Sequence, residues 1–262
     1  RTPAVTVPYL MVATMVSVVA STIYVPSLPS IATSLGTSAT MAQFSLTAFV
    51  LTFGIVQLWH GPASDRLGRY RVLAGSLVVF IIGTAVCAVA PSIEMLIAGR
   101  VLQGLGAAGV GVLPRAIARD QFGHEASARV FTYLSMAAAA AATVSPVVGG
   151  SLEGLTGSWR MSFVLLGLLA AWVLFLTARR APLLATGSIE RPTGVSGYLA
   201  DYWSLMRRAP FAFSVIGGGF LRSGFYAFIV SGPFVLTNLY DTSVVGVGVI
   251  MMTMTLAFLA AN

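Results

Sequence analysis

The sequence predicts an all-α polytopic membrane protein, and two observations carry that class. Hydrophobic residues make up 57% of the 262 positions and charged ones 9%, against about a quarter charged in an ordinary soluble domain. The apolar residues also gather in runs near the ~20 residues needed to cross hydrocarbon. Counting such runs gives eight predicted spans, at roughly 9–29, 41–59, 72–90, 95–115, 128–151, 160–178, 211–234 and 244–262.

The joints between runs alternate in charge, and the alternation predicts topology. Joints 60–71, 116–127 and 179–209 carry Arg66, Arg69, Arg71, Arg119, Arg179, Arg180, Arg191, Arg207 and Arg208, with Arg115 and Arg129 at the flanking helix ends. Joints 30–40, 91–94, 152–159 and 235–243 carry almost none, and only Arg160 lies on that side. Arginine favours the cytoplasmic face, so the amino terminus and the end of every even-numbered span are expected in the cytoplasm of a multi-pass inner (plasma) membrane protein. All basic residues are arginine and the formal charge is +7, yet no soluble basic face exists, so a nucleic-acid partner is not expected. The single cysteine, Cys87, lies in an apolar run and excludes an intrachain disulfide. No metal-ligand cluster or cofactor motif is found, and an enzyme is not expected.

Residues 179–209 form the one long polar stretch, broken by Pro182, Gly187, Pro192, Gly194 and Gly197, before Tyr198–Met206 can form a short amphipathic surface helix. We read 1–180 as one bundle of six helices, 181–209 as a cytoplasmic linker, and 210–262 as the first two helices of a second bundle. Leu35-Gly36-Thr37-Ser38 before the second span is echoed by Tyr240-Asp241-Thr242-Ser243 before the eighth, and Pro26, Pro29 and Pro233 close the first and seventh. This weak repeat is the kind that two related halves leave. The chain opens on Arg1 and closes on Ala260-Ala261-Asn262 without a stop signal, so it is expected to be a piece of a longer protein, about four helices short.

Four stretches carry candidate function. Gly61-Pro62-Ala63-Ser64-Asp65-Arg66-Leu67-Gly68-Arg69-Tyr70-Arg71 packs an acid and three guanidinium groups between two spans, with Gly61 and Gly68 expected to permit tight reversals. In the fourth span, Arg100 stands near Gln103, Gly104, Gly106 and Gly109; an unpaired guanidinium in the membrane is costly, so it is expected to face the bundle interior or to snorkel to the headgroups. In the fifth, Ala137–Ala142 precede Thr143-Val144-Ser145-Pro146-Val147-Val148-Gly149-Gly150, where the proline removes a backbone hydrogen bond and the glycines allow a kink. In the first, Thr14, Ser17, Ser21 and Thr22 form a hydroxyl stripe that either faces a cavity or bonds the carbonyls of the preceding turn.

The first of these stretches, Gly-x-x-x-Asp-Arg-x-Gly-Arg-x-Arg, resembles the signature loop of major facilitator superfamily transporters. Arg100 to Gly111 resembles that family's second motif, in which the arginine is associated with proton coupling. Ser145-Pro146-Val147-Val148-Gly149-Gly150 resembles its antiporter motif, with Ala141 and Ser145 replacing the two leading glycines. Tyr24-Val25-Pro26-Ser27-Leu28-Pro29 and the seventh-span run Arg222 to Val235 resemble the Bcr/CflA branch of drug:proton antiporters. The resemblance implies a major facilitator fold of two six-helix bundles working by alternating access around a midplane site, of which this chain covers about eight helices. It also implies that Asp65, with Gly61, Arg66, Gly68 and Arg69, gates the cytoplasmic end together with Asp120 and Arg129. The expected ligand groups are Thr22, Tyr24, Phe49, Phe53, Arg100, Arg222, Phe225 and Tyr226, with Pro146, Gly149 and Gly150 at a kink. One departure matters: members of the branch usually carry an aspartate where this chain has Thr22. The implied task is proton-coupled export of small amphipathic drugs or metabolites, neutral or anionic ones preferred, with protons and membrane lipid as further partners. The missing acid keeps open an uptake carrier or facilitator for a neutral or anionic metabolite.

Overall fold

A computed structural model describes residues 3–180 and 195–261, and among these every regular element is a helix. The first apolar run forms α1 (Pro3–Thr22), a tight turn at Val25–Ser27 and the short α2 (Leu28–Ser34). Pro26 and Pro29 open the two short pieces, where a missing N–H leaves no helical bond unmade. Helix α3 (Ala39–Leu67) starts under Ser38, whose side chain accepts from the Met41 N–H. Helix α4 (Arg69–Val89) follows at once.

The hydrophilic joint predicted at 60–71 is therefore helix almost throughout, a correction to the loop expectation. Only Gly68 departs from helical backbone, at φ 94°, a conformation that L side chains rarely adopt. Gly61 lies inside α3 with open space beside it and makes no reversal. Charged residues do not break a helix that has left the hydrocarbon, because water there solvates them.

Helix α5 (Ile93–Thr156) merges the fourth and fifth spans. Ser92 caps its first turn by accepting from the Met95 N–H. Gly123, at φ 70° and ψ −174°, interrupts the polar joint at 116–127 and turns the chain back, dividing α5 into limbs Ile93–Gly123 and Ala126–Thr156. Gly157 closes the second limb in the left-handed conformation. Helices α6 (Arg160–Arg180), α7 (Val195–Met206), α8 (Ala209–Tyr240) and α9 (Val244–Ala261) complete the chain. Six of the eight predicted spans are long and apolar enough to cross a membrane among the described residues; the stretches in α8 and α9 are shorter. The linker expected at 181–209 lies outside the described residues except for its last part, where α7 matches the surface helix expected there.

Helices α1, α3 and α4 all pack on α5. Small residues set the distance: a methyl on Gly83 would stand 2.4 Å from the Gln103 nitrogen, and one on Gly106 2.4 Å from that of Phe80. Close backbone approach of this kind is what holds helices together where lipid is as apolar as leucine. Two buried clusters result. One, around Leu10, Leu73, Leu113 and Leu134, lies within the first six spans. The other, around Ile23, Tyr24, Leu46, Trp159 and Phe163, takes in Ile229 of α8 and Val247 and Met251 of α9. The last two helices thus join the rest at the end opposite Gly68 and Gly123.

Candidate functional site

Arg100 is completely buried, and the fourth span positions it by placing Gln103 one turn further along the same face. Its Nη1 donates to the Ala20 carbonyl at 2.9 Å and to Gln103 Oε1, while Gln103 Nε2 donates to Thr84 Oγ1 at 2.8 Å. The guanidinium carbon lies 4.0 Å from the centre of the Phe49 ring and 4.5 Å from that of Tyr24. A buried cation is costly without compensation; carbonyl, amide and two π-faces supply it here. Nε and Nη2 nonetheless have no hydrogen-bond partner, and no carboxylate pairs with the group, among the described residues. Tyr24 is held by Ser45, hydroxyl to hydroxyl at 3.1 Å, and packs on Phe163 at 5.3 Å between ring centres; Phe53 stacks on Phe49 at 6.1 Å. The arginine is not snorkelling, and Tyr24 and Phe49 form a closed stack on it rather than an open cavity wall.

Thr22 ties α1 to the second limb of α5. Its hydroxyl donates to the Val18 carbonyl at 3.1 Å and shares a 2.6 Å hydrogen bond with Ser145, beside Pro146. Thr14, Ser17 and Ser21 bond carbonyls of their own helix, as hydroxyls in apolar surroundings commonly do. Helical backbone continues through Pro146, Gly149 and Gly150, so in this structure the two glycines serve contact rather than interruption. A methyl on Gly149 would lie 1.7 Å from the Ile23 carbonyl oxygen, and one on Gly150 2.6 Å from that of Val244. Gly248 of α9 answers with an equally close approach to Pro146.

At the other end, Arg69 joins three elements. Its Nη2 is 2.5 Å from Asp65 Oδ1, its Nε donates to Asp120 Oδ2 at 2.8 Å, and its Nη1 donates to Ser64 Oγ. Asp65 and Ser64 come from the last turns of α3 and Asp120 from the first limb of α5, so one planar fork clamps both onto the start of α4. Arg129 stands exposed on the second limb, apart from these ion pairs, and Arg66 faces the surface helix beside Tyr198 and Tyr202. Tyr202 donates to the Leu58 carbonyl at 3.0 Å. Burial, then the charge of Asp65 and the neighbouring Tyr198, push its phenol above the usual range, which keeps it a donor. The side chains of Arg222 and Phe225 lie outside the described residues; Tyr226 is half-buried on α8.

The family model described as Major Facilitator Superfamily matches residues 10–262. The chain belongs to that superfamily. Among curated relatives, the "Uncharacterized MFS-type transporter YdgK" of Bacillus subtilis (strain 168) is 34% identical over 84% of this chain and 55% of its own length. "Multidrug resistance protein D" of Escherichia coli (strain K12) is 33% identical over 66% and 44%, and the "Chloramphenicol resistance protein" of Pseudomonas aeruginosa 35% over 55% and 35%. The chain thus spans about half the length, or less, of the curated relatives it matches. Among solved structures, the inward-facing, unoccupied bacterial homologue of the human lysosomal transporter Spinster superposes with a TM-score of 0.77, covering 97% of this chain and 60% of its own, at 20% identity. At that identity the likeness shows the fold: this is a helical, multi-pass major facilitator protein.

Within this major facilitator framework, the sequence marks Gln103 only as part of the Arg100 stretch and does not mark Thr84 or Ser45, although all three hold Arg100 and Tyr24 in place. Gln103 was findable from its one-turn spacing to a buried cation. Thr84 and Ser45 lie 16 residues before and 55 residues before Arg100 respectively, and nothing local marks them. Glu153 was also passed over; it is 8% exposed and one of its oxygens has no partner.

Proposed function

We propose that the protein exports small amphipathic compounds, neutral or acidic ones in preference to permanent cations, in exchange for protons. The observation that carries the reading is the Arg100 centre: a buried guanidinium with two donor groups unfilled, in a chain whose first helix offers Thr22 where a carboxylate would attract cations. A cation at such a centre meets like charge, while a carbonyl, hydroxyl or carboxylate fills the free donors. Tyr24, Phe49 and Phe53 supply apolar and stacking contact once the stack opens, and the resemblance to the Bcr/CflA branch adds Arg222, Phe225 and Tyr226 as ligand groups. The helices opposite Gly68 are joined through α5 and α9, and Gln43 Nε2 donates to the Val230 carbonyl at 3.3 Å, which supports an inward-open state of an alternating-access cycle. Asp65, Arg69 and Asp120 then belong to the cytoplasmic gate, with Gly61, Arg66, Gly68 and Arg129 around it. The likeness to multidrug and chloramphenicol resistance proteins supports export over uptake.

Drug accumulation in cells expressing the protein tests the selectivity. Chloramphenicol is expected to be extruded and a quaternary ammonium dye retained. Thr22→Asp should shift the preference towards the dye and Arg222→Ala should impair the phenicol. Efficient extrusion of the dye by the unmodified protein, undiminished in Thr22→Ala, would overturn the reading.

A further inference from the structure

A second polar centre lies at the end of the molecule opposite Arg69. A cavity of about 600 Å³ is walled there by Thr33 and Ser34 of α2, Glu153 of the second limb of α5, and Phe234, Thr237 and Asn238 of α8. Its size falls within the range of small-molecule sites. Among the described residues, Glu153 is the one ionisable group lining it, is 8% exposed, and its Oε2 is buried with no hydrogen-bond partner. The carboxylate also lies in the last turn of α5, where the helix dipole is negative and no basic side chain answers it. Arg160, just beyond, is already placed on the Trp159 ring and the Ala90 carbonyl.

We propose that this cavity is a binding site, separate from the Arg100 centre, for compounds that carry a protonated amine. The orphan oxygen needs a donor as well as a positive charge, and an N–H⁺ group supplies both. The charge of a carboxylate is shared by both oxygens, so an N–H⁺ group on the cavity side of Glu153 neutralises the buried group as a whole. The Phe234 ring covers the apolar body of the ligand, and the Thr237 hydroxyl and Asn238 amide take its remaining polar groups. A metal ion is not the fit, because no group of three His, Cys, Asp or Glu residues stands together among the described residues. A quaternary ammonium carries the charge but has no hydrogen to give.

The test uses the whole protein in its membrane, with Cys87 replaced by Ala and Ala39→Cys as reporter on the cavity wall. Three probes of one shape are compared at fixed pH: phenethylamine, its N,N,N-trimethyl derivative and 2-phenylethanol. Phenethylamine is expected to protect the reporter from a maleimide at concentrations about tenfold below either analogue, as a charge-assisted hydrogen bond implies. Glu153→Gln should abolish that advantage and Glu153→Asp should retain part of it. Equal protection by all three probes in the unmodified site would overturn the proposal, as would an amine advantage that survives Glu153→Gln. The probe series needs no change at Glu153, so a folding defect in that variant leaves the test decisive, and drug extrusion through the Arg100 centre is not part of its readout.

Discussion

Arg69 carries more of the α3–α4 junction than its neighbours because its guanidinium has enough donors in one plane to serve Asp65, Asp120 and Ser64 together. Lysine keeps the charge but offers a point rather than a fork, and Arg69→Lys is expected to lose one of the two carboxylate contacts. For a gate, the defect should appear in turnover while substrate affinity in detergent stays within about twofold, a change of less than 1 kcal/mol. Asp65→Asn should behave in the same way. Paired binding and transport measurements check this, and an affinity loss as large as the transport loss would place Asp65 on the ligand instead. These residues were legible because acid and arginines at fixed spacing are rare between apolar runs. Their partner Asp120, 51 residues from Arg69, was legible through the family resemblance, since nothing local pairs the two.

Among the helices, the glycines divide into two kinds that composition does not distinguish. Gly149 is packed against the backbone oxygen of Ile23, with 1.7 Å where a methyl would need more than 3 Å, and backbone cannot swing aside. Gly61 faces open space in helical conformation. Gly149→Ala is therefore expected to destabilise by at least about 1–3 kcal/mol, the usual cost of overpacking. Gly61→Ala should be neutral or gain up to about 1 kcal/mol from helix propensity. Thermal unfolding of the two variants in one detergent checks the contrast, and similar melting temperatures would contradict it. The same contrast explains why the helix at 60–67 was misread from sequence. Gly, Pro and charge together resemble a loop, yet a helix emerging from hydrocarbon tolerates all three. The kink glycines were legible as small residues; that they serve contact with α1 and α9 depends on a register no local pattern encodes.

For the molecule as a whole, the alternation of arginine-rich joints predicts that Leu67, at the α3–α4 junction, and Thr40, at the start of α3, lie on opposite sides of the membrane. Both are exposed, whereas Ser64 is buried on Arg69 and is a poor reporter. Single cysteines at Leu67 and Thr40, in a Cys87→Ala background, should react with an impermeant maleimide from the inside and outside respectively. Labelling of both from outside would contradict the predicted topology, and Leu67 from outside with Thr40 from inside would reverse the side assigned to the proposed gate. Six spans and their order were readable because hydropathy and length alone dictate them. The capping of Arg100 by Tyr24 and Phe49, and the placing of Glu153 against α8, arise from packing between distant segments and were not.

Proton-coupled export itself is tested most directly in everted membrane vesicles carrying the protein, with labelled chloramphenicol outside and an imposed pH gradient, interior acid. Chloramphenicol should accumulate against its own gradient while protons leave, and both fluxes should collapse together when an ionophore dissipates the gradient. Accumulation that only equilibrates, or that is indifferent to the ionophore, would contradict proton-driven export and leave a facilitator in its place.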